Sequence, residues 1–485
     1  MTTAEKLLPR DTRVALQSLA VKDCSRSLYF DRYSRPDLDK DPRKQFFTDG
    51  FGAHRSSIQA KNWAAAMRLD PAQLIFAQLQ SRLMVNMAGG VMVNAGLCLD
   101  RFGLPYIPGS AVKGCARRAA LATLHEWCET GSKPADKEHE KNLFTAACAS
   151  FNSPTEILAA IAHVFGWSEQ DWSQKKNDGR FVSDFAWACG DKQEEIWKKT
   201  AEQLASQLHV AIRDEHKETP WKSLPNFAGS ISFLPAYPVD LGKTGKVDGL
   251  PVEIPLLGKL ELDIVTCHHG DYYASKDPDK KATDTEEPVP VVFPAVAVGH
   301  VFAFALLALR GCDKELLTHA RAWLTTGLQT FGLGAKTAAG YGWFETKPAI
   351  GEAVLCYLRD SAEAHRKGRE AQAEKERQDQ ADAVRRKARE ELNKATANMN
   401  EDESLLYTLT VLQEPQFLSK LDRWKDLTPG ERVAIYQLMR TAKSSLWLDL
   451  RKKAAEGKQK EKTRWGLFVG DIFKMAKDRK EKMPS

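Results

Sequence analysis

The fold is decided by the stretch Tyr106-Ile107-Pro108-Gly109-Ser110-Ala111-Val112-Lys113-Gly114. Ser110 suits the N-cap position, and the residues after it predict a helix from Ala111 to Trp127. The opening turn of a helix carries unpaired backbone N–H groups and the positive end of the helix dipole. Because phosphate binds readily at such a turn, this stretch predicts a phosphate site.

Basic side chains surround this helix start. Lys113 lies in the first turn, Arg117 follows one turn later on the same side, and Arg118 extends the basic surface. Gly109 and Gly114 allow another backbone to come close. Taken alone, the same residues also describe an ordinary capped helix with a solvated basic edge, so the motif needs further support.

A second motif is the glycine-rich loop Gly332-Leu333-Gly334-Ala335-Lys336-Thr337-Ala338-Ala339-Gly340-Tyr341-Gly342. It is not a nucleotide-binding P-loop, because Ala335 stands where that loop needs glycine directly before the lysine. It also runs from a helix to a strand, whereas a P-loop runs from a strand to a helix. Glycines that lead into a strand suit close packing against RNA or a neighbouring backbone, and a plain tight turn explains them equally well.

Apolar periodicity predicts the other elements of the core. The predicted strands are 80–87, Ser230–Leu234, Lys259–Val265, Val301–Leu309 and Tyr341–Thr346. The second predicted helix, Lys314–Leu328, lies between the last two of these strands. A largely helical insertion is predicted at about 130–228. The order strand, helix, two strands, helix, strand is typical of an α+β fold with a ferredoxin-like, RRM-like core, βαββαβ. We expect two helices on one face of its sheet and an open face suited to RNA.

The composition changes after Pro348. We predict a core over 1–347, a charged helical linker over 348–400 with few large apolar residues, and a small basic all-α module over 401–485. The basic tail of that module suits contact with phosphates, although a solvated helical face is the simpler interpretation.

Overall composition bounds the class of protein. The 485 residues carry a formal charge of +6, which allows a nucleic-acid partner without requiring one. The sequence has no apolar run of the length that spans a membrane, so no membrane partner is expected. The nine cysteines form no CxxC pair, which disfavours a disulfide framework or zinc knuckle and favours a reducing, cytoplasmic setting.

Several segments together resemble one family. Asn94-Ala95-Gly96, followed by Arg101–Gly114, resembles the signature of RAMP proteins. Leu28–Tyr33, which could be a short strand, resembles their N-terminal segment, and Leu260–Ile264 resembles a middle strand. The glycine-rich loop resembles their C-terminal loop. Over about residues 25–347, the order and spacing most resemble the sixth subunit of type III-B CRISPR (Cmr) effector complexes.

This resemblance implies an RNA-binding backbone subunit of an RNA-guided complex in antiviral defence. Its partners would be the CRISPR guide RNA, whose 3′ part it would hold, the target RNA and other RAMP subunits. The exposed loop His268–Pro290 would be a thumb that enters the guide–target duplex through His268, His269, Tyr272 and Tyr273. The residues expected to bind RNA are Gly109, Ser110, Lys113, Arg117, Arg118, Gly332, Gly334, Lys336, Gly340 and Gly342.

We expect no catalysis by the chain itself, and predict neither a cofactor nor a metal site. Cys267, His268, His269 and Asp271 lack the paired spacing of a zinc site. Asp100 lies in a loop comparable to one that carries the cleaving acidic residue of a neighbouring subunit, but an exposed surface aspartate is the simpler interpretation. Two alternatives stay open. The chain could be a RAMP-family endoribonuclease that processes guide RNA, with His268 or His269 as general acid or base, or an interaction subunit that recruits a partner through its helical extension.

Overall fold

A computed structural model describes residues 10–11, 14, 20–31, 38, 40–56, 73–89, 92, 96–136, 141–173, 183–284, 288–309 and 311–484. The chain forms two compact units, Met1–Ala362 and Glu363–Ser485. Among the helices within these described ranges, none has the length and apolar character needed to cross a bilayer.

The elements are numbered in chain order over the described residues. The strands are β1 Leu74–Leu79, β2 Gly166–Trp167, β3 Phe227–Ala228, β4 Ile231–Phe233, β5 Tyr237–Pro238, β6 Leu260–Cys267, β7 Val289–Val296, β8 Val301–Ala308 and β9 Phe344–Glu345. The helices of the first unit are α1 Arg26–Asp31, α2 Lys40–Phe51, α3 Gly109–Thr130, α4 Thr145–Cys148, α5 Pro154–Phe165, α6 Asp184–Cys189, α7 Gln193–Gln207, α8 Gly270–Ala274 and α9 Lys314–Thr330. The helices that follow are α10 Pro348–Thr396, α11 Glu401–Val411, α12 Glu414–Leu421, α13 Pro429–Arg440, α14 Ser444–Glu456 and α15 Gln459–Asp478.

The central sheet is antiparallel, with neighbouring strands in the order β4, β8, β1, β9, and β5 also pairs with β8. In the β1–β8 pair, Leu74 lies opposite Ala305 and Gln78 lies opposite Val301. Along the chain, these elements run β1, α3, β4, β8, α9, β9. The predicted α+β class is confirmed. The strands β6 and β7 form a separate two-stranded hairpin, and β2 pairs with β3.

Helices α3 and α9 pack together on one face of the central sheet. Ala116 and Ala119 of α3 and Trp323 and Leu324 of α9 are fully buried in one core with the side chains of β1 and β8. Gly327 of α9 faces the backbone of α3 so closely that an added Cβ would lie 2.7 Å from the Cys115 carbonyl oxygen. The two helices can approach this far because glycine has no side chain at the crossing.

The opposite face of the sheet is covered, so the expectation of an open face for RNA is wrong. Leu74 and Phe76 of β1 are buried there against a layer that includes Ile254 and, from the start of α10, Ile350 and Val354. The fully buried Gln78 holds this layer to the sheet, because its amide donates to the Val252 carbonyl (2.6 Å) and accepts from the Val252 N–H (3.0 Å). Apolar side chains on both faces require two covering layers, and alternation within the strands does not reveal the second one.

Three local predictions are corrected by the structure. The strand predicted at 80–87 lies earlier in the chain, at Leu74–Leu79. The residues after Leu79 run between β7 and the glycine-rich loop and form hydrogen bonds to both, and Leu83 forms a single bridge to Val296. Ser110 is not the N-cap, since α3 begins at Gly109 after an extended Pro108. Residues 28–31 are helical within α1, and the rest of that predicted strand lies outside the described residues.

Residues 130–228 and the second unit are mainly helical where the structure describes them. Residues 130–228 hold helices α4 to α7 and the short β2–β3 pair. The second unit takes the exposed remainder of α10, where pairs such as Lys367 and Glu363 (2.8 Å) follow helical i,i+4 spacing. Its core is built by Leu409, Phe417, Trp424, Ile435, Trp447, Trp465 and Phe468.

His300 is a fully buried histidine in the tight connection between β7 and β8. Its Nδ1 lies 2.8 Å from the Ala297 carbonyl oxygen, and its Nε2 accepts the Gly258 N–H at 3.0 Å. An acceptor at Nε2 requires the neutral ring with the proton on Nδ1. Burial lowers the pKa of His300 to about 4. The charged ring is therefore disfavoured in the folded state.

We predict that His300 makes stability fall in mild acid. Between the ordinary pKa of 6.5 and the folded value of about 4, the unfolded chain binds a proton that the folded chain does not. The free energy of unfolding should drop by roughly 2 kcal/mol from pH 7 to pH 5 on account of this group. Urea unfolding of the wild type and of His300→Gln at several pH values measures the difference. Parallel losses in the two proteins would contradict the assignment.

Candidate nucleic-acid interface

The two predicted motifs meet in the folded protein, although 217 residues separate Cys115 from Gly332. The Cys115 Sγ of α3 donates to the Gly332 carbonyl at 3.6 Å. One turn further along α3, the Arg118 guanidinium lies 4.3 Å from the centre of the Phe331 ring, directly before the glycine-rich loop. Helix α3 and the first residues of the loop Gly332–Gly342 are therefore in contact, and we call the exposed side chains of the two segments the α3–loop surface.

Most of the glycines in the loop are required by the loop's own backbone. Gly332, Gly334, Gly340 and Gly342 all have positive φ angles, of 66°, 103°, 92° and 70°. A Cβ at Gly342 would collide with the Leu333 carbonyl oxygen, whereas a Cβ at Gly340 would meet nothing within 4 Å. The tight-turn interpretation thus accounts for Gly342 sterically. Gly340 faces open space, where a ligand backbone has room.

Backbone hydrogen bonds hold the loop against the segment that follows β1. The Ala335 N–H donates to the Met84 carbonyl (2.8 Å), and the Gly342 N–H donates to the Arg82 carbonyl (2.9 Å). Gly334 packs against the same segment, because a Cβ there would collide with the Met84 carbonyl oxygen. These bonds give the loop a defined shape without any ligand.

Two of the predicted basic residues are engaged with the protein itself. The Lys113 ammonium donates to the carbonyl of Phe165 (2.8 Å), the last residue of α5, where a helix dipole favours a cation. Burial, and then the charge of Arg117, lower the pKa of Lys113. Arg117 pairs with Asp171 at 2.8 Å and also contacts Asp184. Both side chains therefore join α3 to the helical segment 130–228, and the charge of Arg117 is largely compensated.

The other two predicted cations pair with no carboxylate among the described residues, although Lys336 is half-buried. Arg118 is exposed on α3, and within the described ranges no carboxylate pairs with its guanidinium. The Lys336 ammonium lies 5.6 Å from the centre of the Phe293 ring and belongs to a residue with a positive φ of 57°. Gly109, by contrast, is a packing residue, since a Cβ there would collide with the Phe233 carbonyl oxygen. Ser110 is exposed beside it.

Trp187 of α6 is a surface residue that the sequence interpretation missed. It lines a cavity of about 350 Å³ together with Gly114, Arg117, Arg118, Leu121 and Asp184. Its indole is 39% exposed and stacks on His125 of α3 with ring centres 4.3 Å apart. The helical pattern of the sequence could have predicted the exposure of Trp187. Phe185, Ala186 and Cys189 form the buried side of α6, and the helical period therefore turns Trp187 outward.

The hairpin β6–β7 is rooted in the same region as the loop. Tyr341 donates its hydroxyl to Asp263 (2.5 Å), and Arg82 pairs with Asp263 (2.9 Å) and Glu261 (3.2 Å). Burial raises the pKa of Asp263, but the bonds from Tyr341 and the Ile264 N–H, together with the charge of Arg82, outweigh it and lower the value overall. The root of the hairpin is thus tied to both the loop and the segment after β1.

The tip of the hairpin carries the residues predicted for a thumb. Tyr272 and Tyr273 lie on α8, 41% and 75% exposed, with ring centres 5.3 Å apart. His268 is exposed, while His269 is half-buried with no hydrogen-bond partner for its Nδ1 among the described residues. Strands of eight residues extend about 26 Å at ~3.3 Å per residue, so these aromatic rings lie far from the root.

Asp100 is a turn residue rather than a free surface carboxylate. Its Oδ1 accepts the N–H groups of Phe102 (2.8 Å) and Leu104 (3.0 Å), and burial raises its pKa. Over the ranges that the structure describes, no group of three or more His, Cys, Asp or Glu side chains is arranged to hold a metal ion. Asn94 and Ala95 of the predicted signature lie outside the described residues.

The amino-acid sequence matches a known family of proteins. The sequence model of the RAMP superfamily matches residues 88–345, from shortly before the α3 motif through the glycine-rich loop. The chain therefore belongs to the RAMP superfamily. It is similar to CRISPR system Cmr subunit Cmr6 of Pyrococcus furiosus, with 27% identity over 265 residues. That match covers 54% of this chain and 64% of the curated relative, and it confirms the resemblance predicted from the motifs.

The solved structures that align with this chain include the following three. A chain of the type III-B Cmr-beta complex bound to cognate target RNA aligns with a TM-score of 0.31 and 14% identity, over 65% of this chain and 76% of that chain. Cmr6 from Pyrococcus furiosus aligns with a TM-score of 0.25 and 22% identity, over 56% and 97%. A chain of a CRISPR RNA-guided surveillance complex in a pre-nicking state aligns with a TM-score of 0.23 and 13% identity, over 56% and 74%.

The loop geometry predicts a contrast between two glycine substitutions. Gly340→Ala should cost about 1–2 kcal/mol, because alanine is strained at positive φ but meets no atom. Gly342→Ala should cost about 3 kcal/mol or more, since the same strain is joined by the collision with the Leu333 carbonyl. Urea unfolding of both variants tests this. Equal losses would mean that the collision with Leu333 does not constrain the loop.

Proposed function

We propose that this chain is an RNA-binding backbone subunit of a type III-B CRISPR (Cmr) effector complex, which holds the 3′ part of the guide RNA and the guide–target duplex in antiviral defence. The single observation that carries the proposal is that α3 and the glycine-rich loop are in contact at Cys115 and Gly332, beside the exposed Arg118. Membership of the RAMP superfamily and similarity to Cmr6 support it. Its partners would be guide RNA, target RNA and other RAMP subunits.

The core of this subunit would be the ferredoxin-like fold of RAMP proteins. The supporting feature is the order β4, β8, β1, β9 with α3 and α9 on one face. We also propose that residues 130–228 are an insertion in this core, that 348–400 is a charged helical linker and that 401–485 is a basic helical module. Because the second sheet face is covered, RNA would follow the α3–loop surface rather than the face of the sheet.

The α3–loop surface would hold the guide through its sugar-phosphate backbone. Arg118 and Lys336 would contact phosphates directly, since no carboxylate in the described ranges pairs with either cation. Lys113 would add one of its remaining N–H groups, and Arg117 would position the surface through Asp171 and Asp184. Such contacts are independent of sequence, which suits a subunit that must accept every guide while base pairing reads the target.

The glycines and the first residues of α3 would serve this grip through the backbone. Gly340 leaves open space at the surface, and the exposed Ser110 lies beside the helix start. Gly109, Gly332, Gly334 and Gly342 would act by allowing the tight packing that shapes the surface. The RNA backbone would thus approach a preformed loop, with little cost of ordering on binding.

The hairpin tip would act as a thumb at the guide–target duplex. Two neighbouring exposed tyrosines offer flat faces for bases or sugars, and His268 and His269 flank them. The tip lies beyond two long strands whose root is tied to the glycine-rich loop. In this proposal the chain positions RNA and supplies no catalytic residue or cofactor of its own.

Two substitutions separate the phosphate contact of Arg118 from a base contact, which we propose for the exposed indole of Trp187 in the same cavity lining. Arg118→Gln should weaken guide-RNA binding several-fold and lower the slope of log Kd against log salt by about one, because one phosphate contact is lost. Trp187→Ala should weaken binding by about fivefold or more without changing that slope, because a stacking contact carries no charge. Filter binding or fluorescence anisotropy at several salt concentrations measures both effects.

The matched control for this experiment is Arg213→Gln, which makes the same change of charge at an exposed arginine of the insertion, outside the α3–loop surface. Its affinity and salt slope should equal those of the wild type. If folded Arg118→Gln binds guide RNA with wild-type affinity and salt slope, the assignment of the α3–loop surface is wrong.

The boundary of the RNA-binding part can be tested by truncation. A chain that ends at Ala362 should bind guide RNA within about twofold of the full chain, because it keeps the whole first compact unit. A chain that ends at Lys347 should be strongly destabilised, since removing Ile350 and Val354 uncovers the second face of the sheet. Circular dichroism establishes folding before binding is measured. Loss of guide binding in a folded 1–362 chain would contradict this boundary.

A further inference from the structure

A second concave site lies outside the α3–loop surface. It is a cavity of about 660 Å³ between the segment 52–56 and the segments 239–244 and 254–257. Its floor includes Leu104, His300 and Val301. None of the residues proposed above to contact RNA lines this cavity, so it requires an explanation of its own.

The charge of the lining is positive. Lys22, Arg55 and Lys243 line the cavity together with His54, and Asp240 is the acidic residue of the lining. The Asp240 carboxylate accepts the Gly242 N–H at 2.9 Å, which fixes it within its own loop. With His neutral, three cationic groups face one carboxylate. An anionic ligand is therefore favoured.

Arg55 is held in position by the backbone, and among the described residues part of its hydrogen-bonding capacity is left over. Its Nε donates to the Leu257 carbonyl at 3.0 Å, and its side chain is half-buried in the cavity wall. A guanidinium has five N–H donors in a fork that matches phosphate and carboxylate oxygens. Its terminal amino groups can therefore meet an anion in a fixed direction.

A second guanidinium adds to the positive potential behind the wall. Arg26 is 1% exposed, and its terminal nitrogens donate at 2.6 Å to the carbonyls of Gly258 and Phe51, which adjoin the lining residues Leu257 and Gly52. Burial, and then the charge of Arg55, lower the pKa of Arg26 to about 9. Within the described ranges its recorded acceptors are neutral carbonyls, and a buried cation without a counter-charge is costly. An anion bound at Arg55 would offset that cost.

The size and the apolar walls indicate what kind of anion fits. Leu104, Leu241, Ile254 and Val301 present buried hydrocarbon along the cavity. A cavity of this volume is large for inorganic phosphate and lies within the range of sites for small organic ligands. A ligand that uses both features has a flat or apolar part next to a phosphate.

We propose that this cavity binds a single unpaired nucleotide, with its phosphate at Arg55, Lys22 and Lys243 and its base against the apolar wall. Two sources share this chemistry: a free nucleoside monophosphate, or one nucleotide of an RNA strand that has left the duplex. The second source rests on the proposed RNA-binding function, and the first does not.

Titration calorimetry with the full chain tests the proposal. AMP and UMP are the probes for a free nucleotide, inorganic phosphate is the probe for the anion alone, and a guide RNA is the probe for a strand. Wild-type protein should bind a nucleoside monophosphate at least tenfold more tightly than inorganic phosphate. Arg55→Gln should weaken nucleotide binding at least tenfold, whereas Arg213→Gln, outside both the cavity and the α3–loop surface, should leave it unchanged.

A second variant guards against a folding defect in Arg55→Gln. Lys22→Gln combined with Lys243→Gln changes two exposed side chains, and it should weaken nucleotide binding about fivefold or more while unfolding like the wild type. Absence of nucleotide binding by folded wild-type protein at millimolar concentration would overturn the proposal, as would wild-type affinity in this double variant. Equal affinity for phosphate and nucleotide would also overturn it.

The outcome for guide RNA is distinguishable from the outcome for the cavity. If nucleotides bind through Arg55 but guide RNA does not bind, the cavity assignment stands and the proposed function fails. If guide RNA binds through Arg118 and nucleotides do not bind, the proposed function stands and the cavity assignment fails. If Arg55→Gln binds guide RNA more weakly than the wild type, and AMP competes with guide RNA for the wild-type protein, the ligand of the cavity is a nucleotide of an RNA strand.

Discussion

The contact between α3 and α9 at Cys115 and Gly327 is the constraint on which the functional surface depends. Because Gly327 has no side chain, the two helices approach until the Cys115 backbone fills that space. The same turn of α3 then reaches Gly332, directly after the end of α9. A helix start and a glycine-rich loop that are distant in the chain thus become neighbours. A larger residue at 327 would separate them by moving one helix outward.

From this contact, the surrounding structure is connected by backbone hydrogen bonds more than by charge. The loop is bonded to the segment after β1, that segment bridges to β7, and Tyr341 and Arg82 tie the root of the hairpin to both. A ligand on the α3–loop surface and a ligand at the hairpin tip would therefore contact parts of one connected framework. Preorganisation of this kind suits recognition of backbone shape, where register matters more than the identity of any base.

The positive charges of the first unit are divided among different tasks. Arg117 is compensated by two carboxylates and Lys113 caps the end of α5, so both help to attach the helical segment 130–228. Arg118 is exposed, and Lys336 is half-buried with no carboxylate partner among the described residues. Arg26 and Arg55 lie in or behind the wall of a separate cavity. A modest net charge of +6 is therefore compatible with two distinct anion-binding regions, since local placement and not the total decides the potential at a surface.

The amino-acid sequence by itself determined the α+β class, the long helix after Pro108, the strands near 231, 260 and 301, and the family, because local periodicity and short motifs are written in neighbouring residues. Only the tertiary structure decided which cations are left without a carboxylate partner, that the start of α10 covers the second sheet face, that Trp187 lines a cavity with Arg118, and that residues 80–87 form an irregular connection with Leu83 buried in it. Each of these depends on partners far away in the chain. The local pattern does not predict the partners of Arg117, Phe76 and Leu83, which are Asp171, Ile350 and Val296. Burial and ion pairing are properties of contacts rather than of segments.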